Sequence, residues 1–385
     1  MRVVVIGAGV VGAAVAAGLT RRAADVTVLE ARRPGAGTTT TSFAWINAGN
    51  KNPDSYYALN HAGVHAHHEF AGHGAPWFFP TGNLEWAVSD DDRSALARRI
   101  DKAHVRDYPV QQLTAEQAAA LEPDLIGQPA GTEFAFFPTE AHTYPALLLA
   151  RLLGEAKDGG ATVISPAQVT AVENRAGTMS VETADSARYT ADIVISCAGR
   201  WTDQVAELAG AYAPMRDPDL AGSATVGFLA TTALVPTRLS RVITTPDLNV
   251  RPDGAGRLLL QTLDLDRLAD PTAPPALDSA IAKEMLGRLP RVLRSTEGAA
   301  IEKMQVGQRA LPADGLTIAG FADTAARFYV VATHSGVTLA PLLADLVAAE
   351  VHGEEAALLG DFRPTRFADG TVRSAPSAAR RPGEQ

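Results

Sequence analysis

Three glycines near the start of the chain have a spacing that suits the binding of a diphosphate. Gly7, Gly9 and Gly12 form a G-x-G-x-x-G pattern directly after the apolar run of residues 3–6. The first glycine permits a tight turn, the second lets a ligand approach the backbone, and the third lets a helix pack closely on the strand. The N–H groups at the start of that helix can bind phosphate oxygens. The segment therefore predicts a strand, a turn and a helix that hold a dinucleotide.

An acidic residue ends the next apolar run. Glu30 follows residues 26–29, and a carboxylate at this place can accept hydrogen bonds from ribose hydroxyls. Arg32 and Arg33 come next and suit either the 2′-phosphate of NADP or the adenosine of FAD. The motif alone therefore leaves FAD and NAD open as cofactors.

Two later segments repeat the order of strand, glycine turn and helix. The apolar run from Asp192 ends at Gly199, and the run of residues 328–332 leads to Gly336 at the start of another helix. Between them, residues 214–290 alternate in a way that favours antiparallel strands. We therefore predict an α/β fold, with a Rossmann-like domain built on a parallel sheet and an antiparallel, β-rich substrate domain.

Other residues that could take part in binding or catalysis also have purely structural interpretations. The hydroxyl run of residues 38–42 suits a phosphate or a flavin edge, although it also fits a polar loop. His61, His65 and His68 share one face of a helix predicted over residues 54–71, but no zinc motif surrounds them, and we predict no metal site. Cys197 is interpreted as a small buried residue at a strand end.

Length, charge and cysteine usage limit the classes of function. A chain of 385 residues is long enough for two domains, and its net charge of −9 argues against a nucleic-acid partner. No apolar run is long enough to span a membrane, and a strand that begins at residue 2 leaves no room for a signal peptide. A single cysteine excludes an internal disulfide, so a cytoplasmic location is expected.

These motifs together resemble the FAD-dependent D-amino-acid oxidase family, which includes glycine oxidase, sarcosine oxidases and D-amino-acid dehydrogenases. The resemblance extends from residue 1 to about residue 360. It is carried by GAGVVG with Glu30, TTTTSFAWINAG, ISCAGRWTD, GQRALPADGLTIAG and THSGVTLAPLL. The last two motifs are the most specific, because the glycine pattern alone occurs in many dinucleotide-binding proteins.

The resemblance implies a non-covalently bound FAD and a set of site residues. Arg309 matches the arginine that binds the substrate carboxylate, although a structural salt bridge is the alternative. Arg251 and His334 are further catalytic candidates. The lysine that assists oxygen reduction in sarcosine oxidases is missing from residues 257–261, which leaves oxidase and dehydrogenase reactions open. The implied cofactor contacts are Gly7, Gly9, Val10, Val11, Gly12, Glu30, Ala31, Arg32, Thr40, Thr41, Ser42, Asn47, Val169, Ala198, Gly199, Trp201, Gly307, Ser335, Gly336, Val337, Thr338 and Leu339.

The expected reaction is oxidation of a C–N bond in a small amine or amino acid, with hydride transfer to flavin N5 and hydrolysis of the imine. Oxygen or another acceptor would then take the electrons. The alternatives are a flavoprotein that acts on a C–O or C–C bond, including a biosynthetic tailoring enzyme, and a non-redox dinucleotide-binding module. The predicted FAD-binding domain comprises residues 1–80, 144–213 and 301–362, the substrate-binding domain residues 81–143 and 214–300, and a disordered tail residues 363–385.

Overall fold

The computed structural model of the protein describes residues 1–72, 74–370 and 372. Its helices are α1 (Val10–Arg21), α2 (Asp54–Ala71), α3 (Asp90–Val105), α4 (Ala115–Leu121), α5 (Pro145–Asp158), α6 (Thr202–Leu208), α7 (Ala280–Arg288) and α8 (Gly336–Val351). Short 3₁₀ helices include Thr38–Thr41 and Pro364–Phe367.

The strands belong to four sheets. In chain order they are β1 (Arg2–Ile6), β2 (Asp25–Leu29), β3 (Trp45–Ile46), β4 (Phe78–Phe79), β5 (Asn83–Ala87), β6 (Gln111–Leu113), β7 (Glu133–Phe137), β8 (Ala141–Thr143), β9 (Thr162–Ile164), β10 (Val169–Arg175), β11 (Thr178–Thr183), β12 (Arg188–Ala191), β13 (Ile193–Ser196), β14 (Val226–Thr232), β15 (Val242–Thr244), β16 (Asn249–Pro252), β17 (Leu258–Gln261), β18 (Ile301–Gln308), β19 (Ile318–Phe321) and β20 (Phe328–Ala332).

The first glycine turn follows an inner strand of a six-stranded sheet with the order β19-β20-β13-β1-β2-β9. Strand β1 pairs in parallel with β13 and β2, and β13 pairs in parallel with β20. Strands buried on both faces are typical of parallel sheets, which explains their continuous apolar sequences. The three segments predicted to end in glycine turns are therefore neighbours, and their turns lie at one edge of the sheet.

Helix α1 packs between the sheet and helix α8. A Cβ atom at Gly18 would lie 1.9 Å from the carbonyl oxygen of Ala344, so only glycine permits this close crossing. Most residues of α1 are fully buried, among them Val15, Ala16 and Leu19. The small side chains of α1 therefore hold the start of the chain against a helix more than 300 residues later.

The second large sheet has eight strands in the order β18-β14-β17-β16-β15-β5-β7-β6. Its neighbouring strands are antiparallel except for β15 and β5, which are parallel. Together with α7 it surrounds a separate apolar cluster that includes Phe228 and Met285. This sheet corresponds to the antiparallel layer predicted from the sequence.

Three details of the sequence prediction were wrong. The sequence analysis identified no strands within residues 122–143, but strands β7 and β8 lie there. Strand β18 was assigned to the FAD-binding domain, yet it pairs with β14 of the eight-stranded sheet. The expected tail begins too early, because residues 364–367 form a 3₁₀ helix with Phe367 buried. Most of the remaining predicted tail, residues 371 and 373–385, lies outside the described residues.

Within the part of the chain that the structure describes, no helix is both long and apolar enough to cross a membrane.

Candidate cofactor and substrate site

A long cavity of about 720 Å³ lies where the three glycine turns meet. The turn after β1, the end of β2, the turn after β13 and the start of α8 all contribute to its wall. It therefore runs along the edge of the parallel sheet at which dinucleotides bind. The predicted cofactor residues that line it are Gly7, Gly9, Val10, Val11, Glu30, Ala31, Arg32, Ser42, Val169, Ala198, Gly199, Trp201, Gly336 and Val337.

The first turn has the geometry that its glycines predicted. Gly7 has a φ of +103°, and a Cβ atom there would lie 2.5 Å from the carbonyl oxygen of Cys197. A Cβ atom at Gly12 would lie 1.9 Å from the carbonyl oxygen of Gly7. Gly12 does not line the cavity and instead allows α1 to begin directly behind the turn. The backbone of Gly9, without a side chain, is left facing the cavity.

The carboxylate of Glu30 is fixed at the wall of this cavity. One oxygen accepts a hydrogen bond from the Ala8 N–H at 2.8 Å, and the other accepts one from the Arg32 N–H at 3.0 Å. The remaining lone pairs of both oxygens can accept hydrogen bonds from hydroxyl groups. The guanidinium groups of Arg32 and Arg200 lie near the ring of Trp201, at 5.1 and 4.0 Å from its centroid. This end of the cavity thus combines a carboxylate hydrogen-bond acceptor with an aromatic and cationic surface.

A smaller cavity of about 150 Å³ adjoins the long one. Thr38, Ser42, His334 and Val337 line both cavities. The smaller cavity lies between the eight-stranded sheet, the segment around β3 and the start of α8. The predicted residues that line it are Thr41, Ser42, Asn47, Gly307, Arg309, His334, Ser335, Val337 and Thr338.

Arg309 contributes a partly satisfied guanidinium to the smaller cavity. Its Nη1 donates to the carbonyl oxygens of Ala224, at 3.0 Å, and Val226, and its Nη2 donates to Asp266 Oδ2 at 2.7 Å. Arginine has five N–H donors. The Nε–H and one Nη2–H therefore have no hydrogen-bond partner among the described residues. The structural salt bridge expected as the alternative is present, and the role of Arg309 in binding a substrate carboxylate stays a prediction.

Three other predicted residues lie outside both cavities. Arg251 is 1% exposed, donates from Nε to the carbonyl oxygen of Phe43 at 2.5 Å, and pairs with Asp253. Thr40 donates its hydroxyl to the carbonyl oxygen of Gly35, and Leu339 is fully buried in the core. The environment of Arg251 is that of a structural cation that joins the hydroxyl loop to the eight-stranded sheet.

The sequence analysis missed several residues that line the cavities. Lys51, Asn249 and Gln261 line the smaller one, and Thr39 lines the longer one. The Oγ1 of Thr39 accepts a hydrogen bond from the Val10 N–H at 3.0 Å, which fixes the hydroxyl run against the start of α1. The run of five hydroxyls was a signal for Thr39. Lys51 lies in a polar segment that has the appearance of an exposed loop, so its sequence carried no comparable signal.

A buried polar network supports Trp45, which lines the smaller cavity. The indole Nε1 donates to Glu140 Oε2 at 2.8 Å, and Glu140 also contacts Arg99 and accepts a hydrogen bond from the Tyr108 hydroxyl. Burial is the main cause that raises the pKa of Glu140 to about 7. The network fixes one wall of the cavity through a carboxylate that has no contact with solvent.

The histidines of α2 have separate structural contacts. His61 and His65 contact each other, with 3.2 Å between their Nε2 atoms, whereas His67 bonds the carbonyl oxygen of Val337 and His68 that of Thr139. Among the described residues, no group of three or more metal-binding side chains occurs.

Burial raises the pKa of the Cys197 thiol, as expected for an inert cysteine.

The parallel sheet with its glycine turns and long cavity is the architecture of a dinucleotide-binding protein. Residues 2–350 match the sequence model of the FAD dependent oxidoreductases, the family that includes the D-amino-acid oxidases. The chain belongs to this family and is an FAD-dependent oxidoreductase. No curated protein sequence matches it significantly.

Solved structures of amine and amino acid oxidoreductases share the fold. Glycine oxidase from Geobacillus kaustophilus has a TM-score of 0.81 and 22% identity, over 95% of this chain and 99% of its own. Iminodiacetate oxidase from Chelativorans sp. has a TM-score of 0.78 and 22% identity, over 94% of this chain and 99% of its own. L-proline dehydrogenase from P. horikoshii has a TM-score of 0.79 and 19% identity, over 97% of this chain and 99% of its own.

The site fits FAD by its own geometry. The glycines of the first turn add no side chain of their own to the cavity wall, the Thr39 hydroxyl contacts the first N–H of α1, and the Glu30 carboxylate keeps acceptor capacity for hydroxyl groups. Two cavities that share a wall suit a ligand whose reactive ring must meet a second, smaller molecule. Asn47 lines the smaller cavity, and its Oδ1 is buried without a hydrogen-bond partner among the described residues.

Proposed function

We propose that the protein oxidises the C–N bond of a small amine or amino acid whose carboxylate is bound by Arg309. The observation that carries the proposal is the smaller cavity, which Arg309 lines and at which two of its five N–H donors have no hydrogen-bond partner among the described residues. Paired N–H donors of a guanidinium match the two oxygens of a carboxylate. The oxidase and dehydrogenase structures of the same fold act on amines or amino acids according to their names, which supports the choice of substrate class.

Arg309 is held in one orientation by the protein. Asp266 accepts from both Arg309 and the Phe228 N–H, the latter at 2.9 Å, so its carboxylate is itself fixed by the strand β14. The missing side chain of Gly227 makes room for this pair, because a Cβ atom there would lie 2.4 Å from Arg309 Nη2 and from Asp266 Oδ2. A substrate carboxylate on Arg309 would therefore be bound in a defined position.

The protein would promote the oxidation by positioning the substrate and by electrostatic stabilisation, without a strongly acidic or basic side chain. Bound FAD supplies the two-electron acceptor for the hydride that leaves the carbon next to nitrogen. The residues at the start of α8 place the positive end of its helix dipole at the junction of the cavities, where it favours negative charge. Water then hydrolyses the imine, and oxygen or another acceptor takes the electrons from the protein.

The test is reduction of the purified, flavin-containing protein under anaerobic conditions by a panel of amino acids and amines. We expect at least one amino acid to bleach the flavin absorbance, and admission of air then reports whether oxygen restores it. Arg309→Leu should raise the half-saturating concentration roughly 100-fold, because charge-assisted hydrogen bonds are lost. Arg257→Leu is the control, since Arg257 pairs with Glu302 at the exposed surface.

Two outcomes would contradict the proposal. Reduction by hydroxy acids but by no amine would indicate oxidation of a C–O bond. A flavin that no compound of either class reduces would indicate that the protein does not oxidise this substrate class.

A further inference from the structure

Two asparagine side chains at the smaller cavity have carbonyl oxygens without a partner. Asn47 and Asn249 both line this cavity, and neither lines the long one. The two residues are 5% and 3% exposed, and the Oδ1 atom of each is buried without a hydrogen-bond partner among the described residues. A buried carbonyl oxygen that accepts no hydrogen bond is uncommon and costs free energy. The two oxygens therefore indicate a ligand that donates hydrogen bonds.

The nitrogen atom of each amide is already used within the protein. Asn47 Nδ2 donates to the carbonyl oxygen of Trp45 at 3.2 Å, and Asn249 Nδ2 donates to Gln261 Oε1 at 3.2 Å. The Trp45 oxygen can only accept, so it fixes which end of the Asn47 amide faces it. Asn249 and Gln261 are direct partners on the neighbouring strands β16 and β17, so both side chains lie on one face of the eight-stranded sheet. The protein thus holds each amide in place and leaves its acceptor for a ligand.

The other polar groups at the cavity wall indicate which donor the ligand carries. Arg309 lines the cavity as a cation, and no aspartate or glutamate lines it among the described residues. An amine in this cavity would therefore meet no carboxylate and would donate its hydrogen bonds to neutral oxygens. A primary amine has at least two N–H donors, whereas a hydroxyl group has one and a methyl group has none. Two amide oxygens match a primary amine better than they match either of the other groups.

We propose that Asn47 and Asn249 bind the amino group of the substrate, and that the preferred substrates are α-amino acids with a primary amino group. This inference rests on the proposed function, in which Arg309 binds the carboxylate of the same molecule. The cavity volume of about 150 Å³ brings the three side chains within reach of one small amino acid. Because the amino group and the carboxylate are attached to one carbon, binding both groups also orients the hydrogen on that carbon.

The test compares carboxylates of similar shape that have no hydrogen on the carbon next to the carboxylate and cannot be oxidised there. The probes are 2-aminoisobutyrate, 2-hydroxyisobutyrate and pivalate, which carry an amino, a hydroxyl and a methyl group at the same position. Each is titrated into the flavin-containing protein at constant pH and ionic strength, and binding is followed by flavin absorbance. We expect 2-aminoisobutyrate to bind roughly tenfold more tightly than pivalate, with 2-hydroxyisobutyrate between them, since hydrogen bonds to buried acceptors are added. This comparison on the unaltered protein does not depend on the folding of any variant.

Variants then assign the preference to the two amides. Asn47→Leu and Asn249→Leu remove the acceptor at similar side-chain size, and each should reduce the preference for 2-aminoisobutyrate over pivalate roughly threefold or more. A side chain that only supported the fold would weaken the binding of both probes alike. Asn174→Leu, at an exposed position of β10, should change neither affinity. Flavin content and thermal unfolding are measured for each variant to confirm that it folds.

Equal affinities for 2-aminoisobutyrate and pivalate would overturn the inference, as would a preference that survives in both variants. If Asn47→Leu lost flavin but kept the preference, Asn47 would belong to the cofactor site and the assignment of this residue would be wrong. The proposed function fails separately. If no amine reduces the flavin while the amide-dependent preference is present, the amine site stands and C–N oxidation does not.

Discussion

Arg309 shows how one residue can serve both the fold and the candidate reaction. Its Nη1 donates to two carbonyl oxygens and its Nη2 to Asp266, while two donors remain for a ligand. A guanidinium free in solution has to lose rotational freedom when it binds a carboxylate. Arg309 has already lost this freedom on folding, so less entropy opposes the binding of a ligand.

The glycine next to this ion pair provides a prediction at the scale of one residue. Gly227→Ala would place a Cβ atom 2.4 Å from both Arg309 Nη2 and Asp266 Oδ2. Because both groups must move, we expect the affinity for carboxylate probes to fall roughly tenfold, with little change in flavin content. Probe titration against flavin absorbance measures the first quantity, and the absorbance ratio of flavin to protein measures the second.

The matched control is Gly287→Ala in helix α7, where a Cβ atom would have no heavy atom within 4 Å. It should leave probe affinity unchanged. An unchanged affinity in Gly227→Ala would show that the ion pair tolerates displacement and that its geometry does not control carboxylate binding.

The sequence was informative for residues in local motifs and uninformative for residues placed by distant packing. The positions of the glycines and of Glu30 are set by neighbours that are close in the sequence, and these positions could be predicted. The burial of Lys51 depends on its contact with Arg106. The environment of Arg251 depends on Phe43, more than 200 residues earlier. Contacts between residues that are far apart in the chain leave no pattern in the sequence around either residue.

At the scale of elements, the crossing of α1 and α8 joins the first turn to the last. Both helices begin at the wall of the long cavity, and Gly18 allows their backbones to meet. The packing of these two helices therefore affects the relative position of the two helix starts that line the long cavity. A change in their packing is expected to affect both stability and cofactor retention.

Gly18→Ala tests this crossing. The added Cβ atom would lie 1.9 Å from the carbonyl oxygen of Ala344, so the helices must separate. We expect a loss of roughly 2 kcal/mol in the free energy of unfolding, because overpacking outweighs the better helix propensity of alanine. Denaturant unfolding followed by circular dichroism measures this change.

Gly154→Ala in α5 is the comparison, since a Cβ atom there would have no heavy atom within 4 Å. It should stabilise the protein by up to about 1 kcal/mol through helix propensity. If Gly18→Ala were equally stabilising, the close approach of α1 and α8 would not constrain the fold.

The elements themselves were largely predictable, but their order in the eight-stranded sheet was not. Apolar runs and the capping box of α4 indicate where strands and helices begin. Strand β5 pairs in parallel with β15, which is about 160 residues later, and nothing near either strand specifies that partner. The strands β7 and β8 were missed because their short apolar segments lie among turn residues.

For the whole molecule, buried ionisable groups predict how stability depends on pH. Burial lowers the pKa of His142 to about 3, and nearby Arg251 adds to this effect. The unfolded chain binds a proton on this histidine below about pH 6.5, whereas the folded protein does not until about pH 3. The contribution of the neutral His142 to the free energy of unfolding is therefore fully present above pH 6.5 and is lost progressively as the pH falls below that value.

His142→Phe isolates this contribution from that of Glu140, whose raised pKa acts in the opposite direction. The phenyl ring can keep the stacking on Phe79, whose ring lies 4.9 Å from that of His142. Between pH 8 and pH 5, the variant should gain about 2 kcal/mol in the free energy of unfolding relative to the unaltered protein. Urea unfolding at both values measures the difference.

His104→Gln is the control, because it also removes one histidine but at an exposed position. A difference between His142→Phe and the unaltered protein that is the same at pH 5 and pH 8 would contradict the assigned pKa of His142.

The two cavities share four lining residues, Thr38, Ser42, His334 and Val337. A molecule bound on the long side would complete the floor on which the smaller molecule rests. Under the proposed function, the cofactor therefore has to bind before the substrate pocket is complete. Protein stripped of its cofactor should therefore bind carboxylates only weakly, even though Arg309 is present.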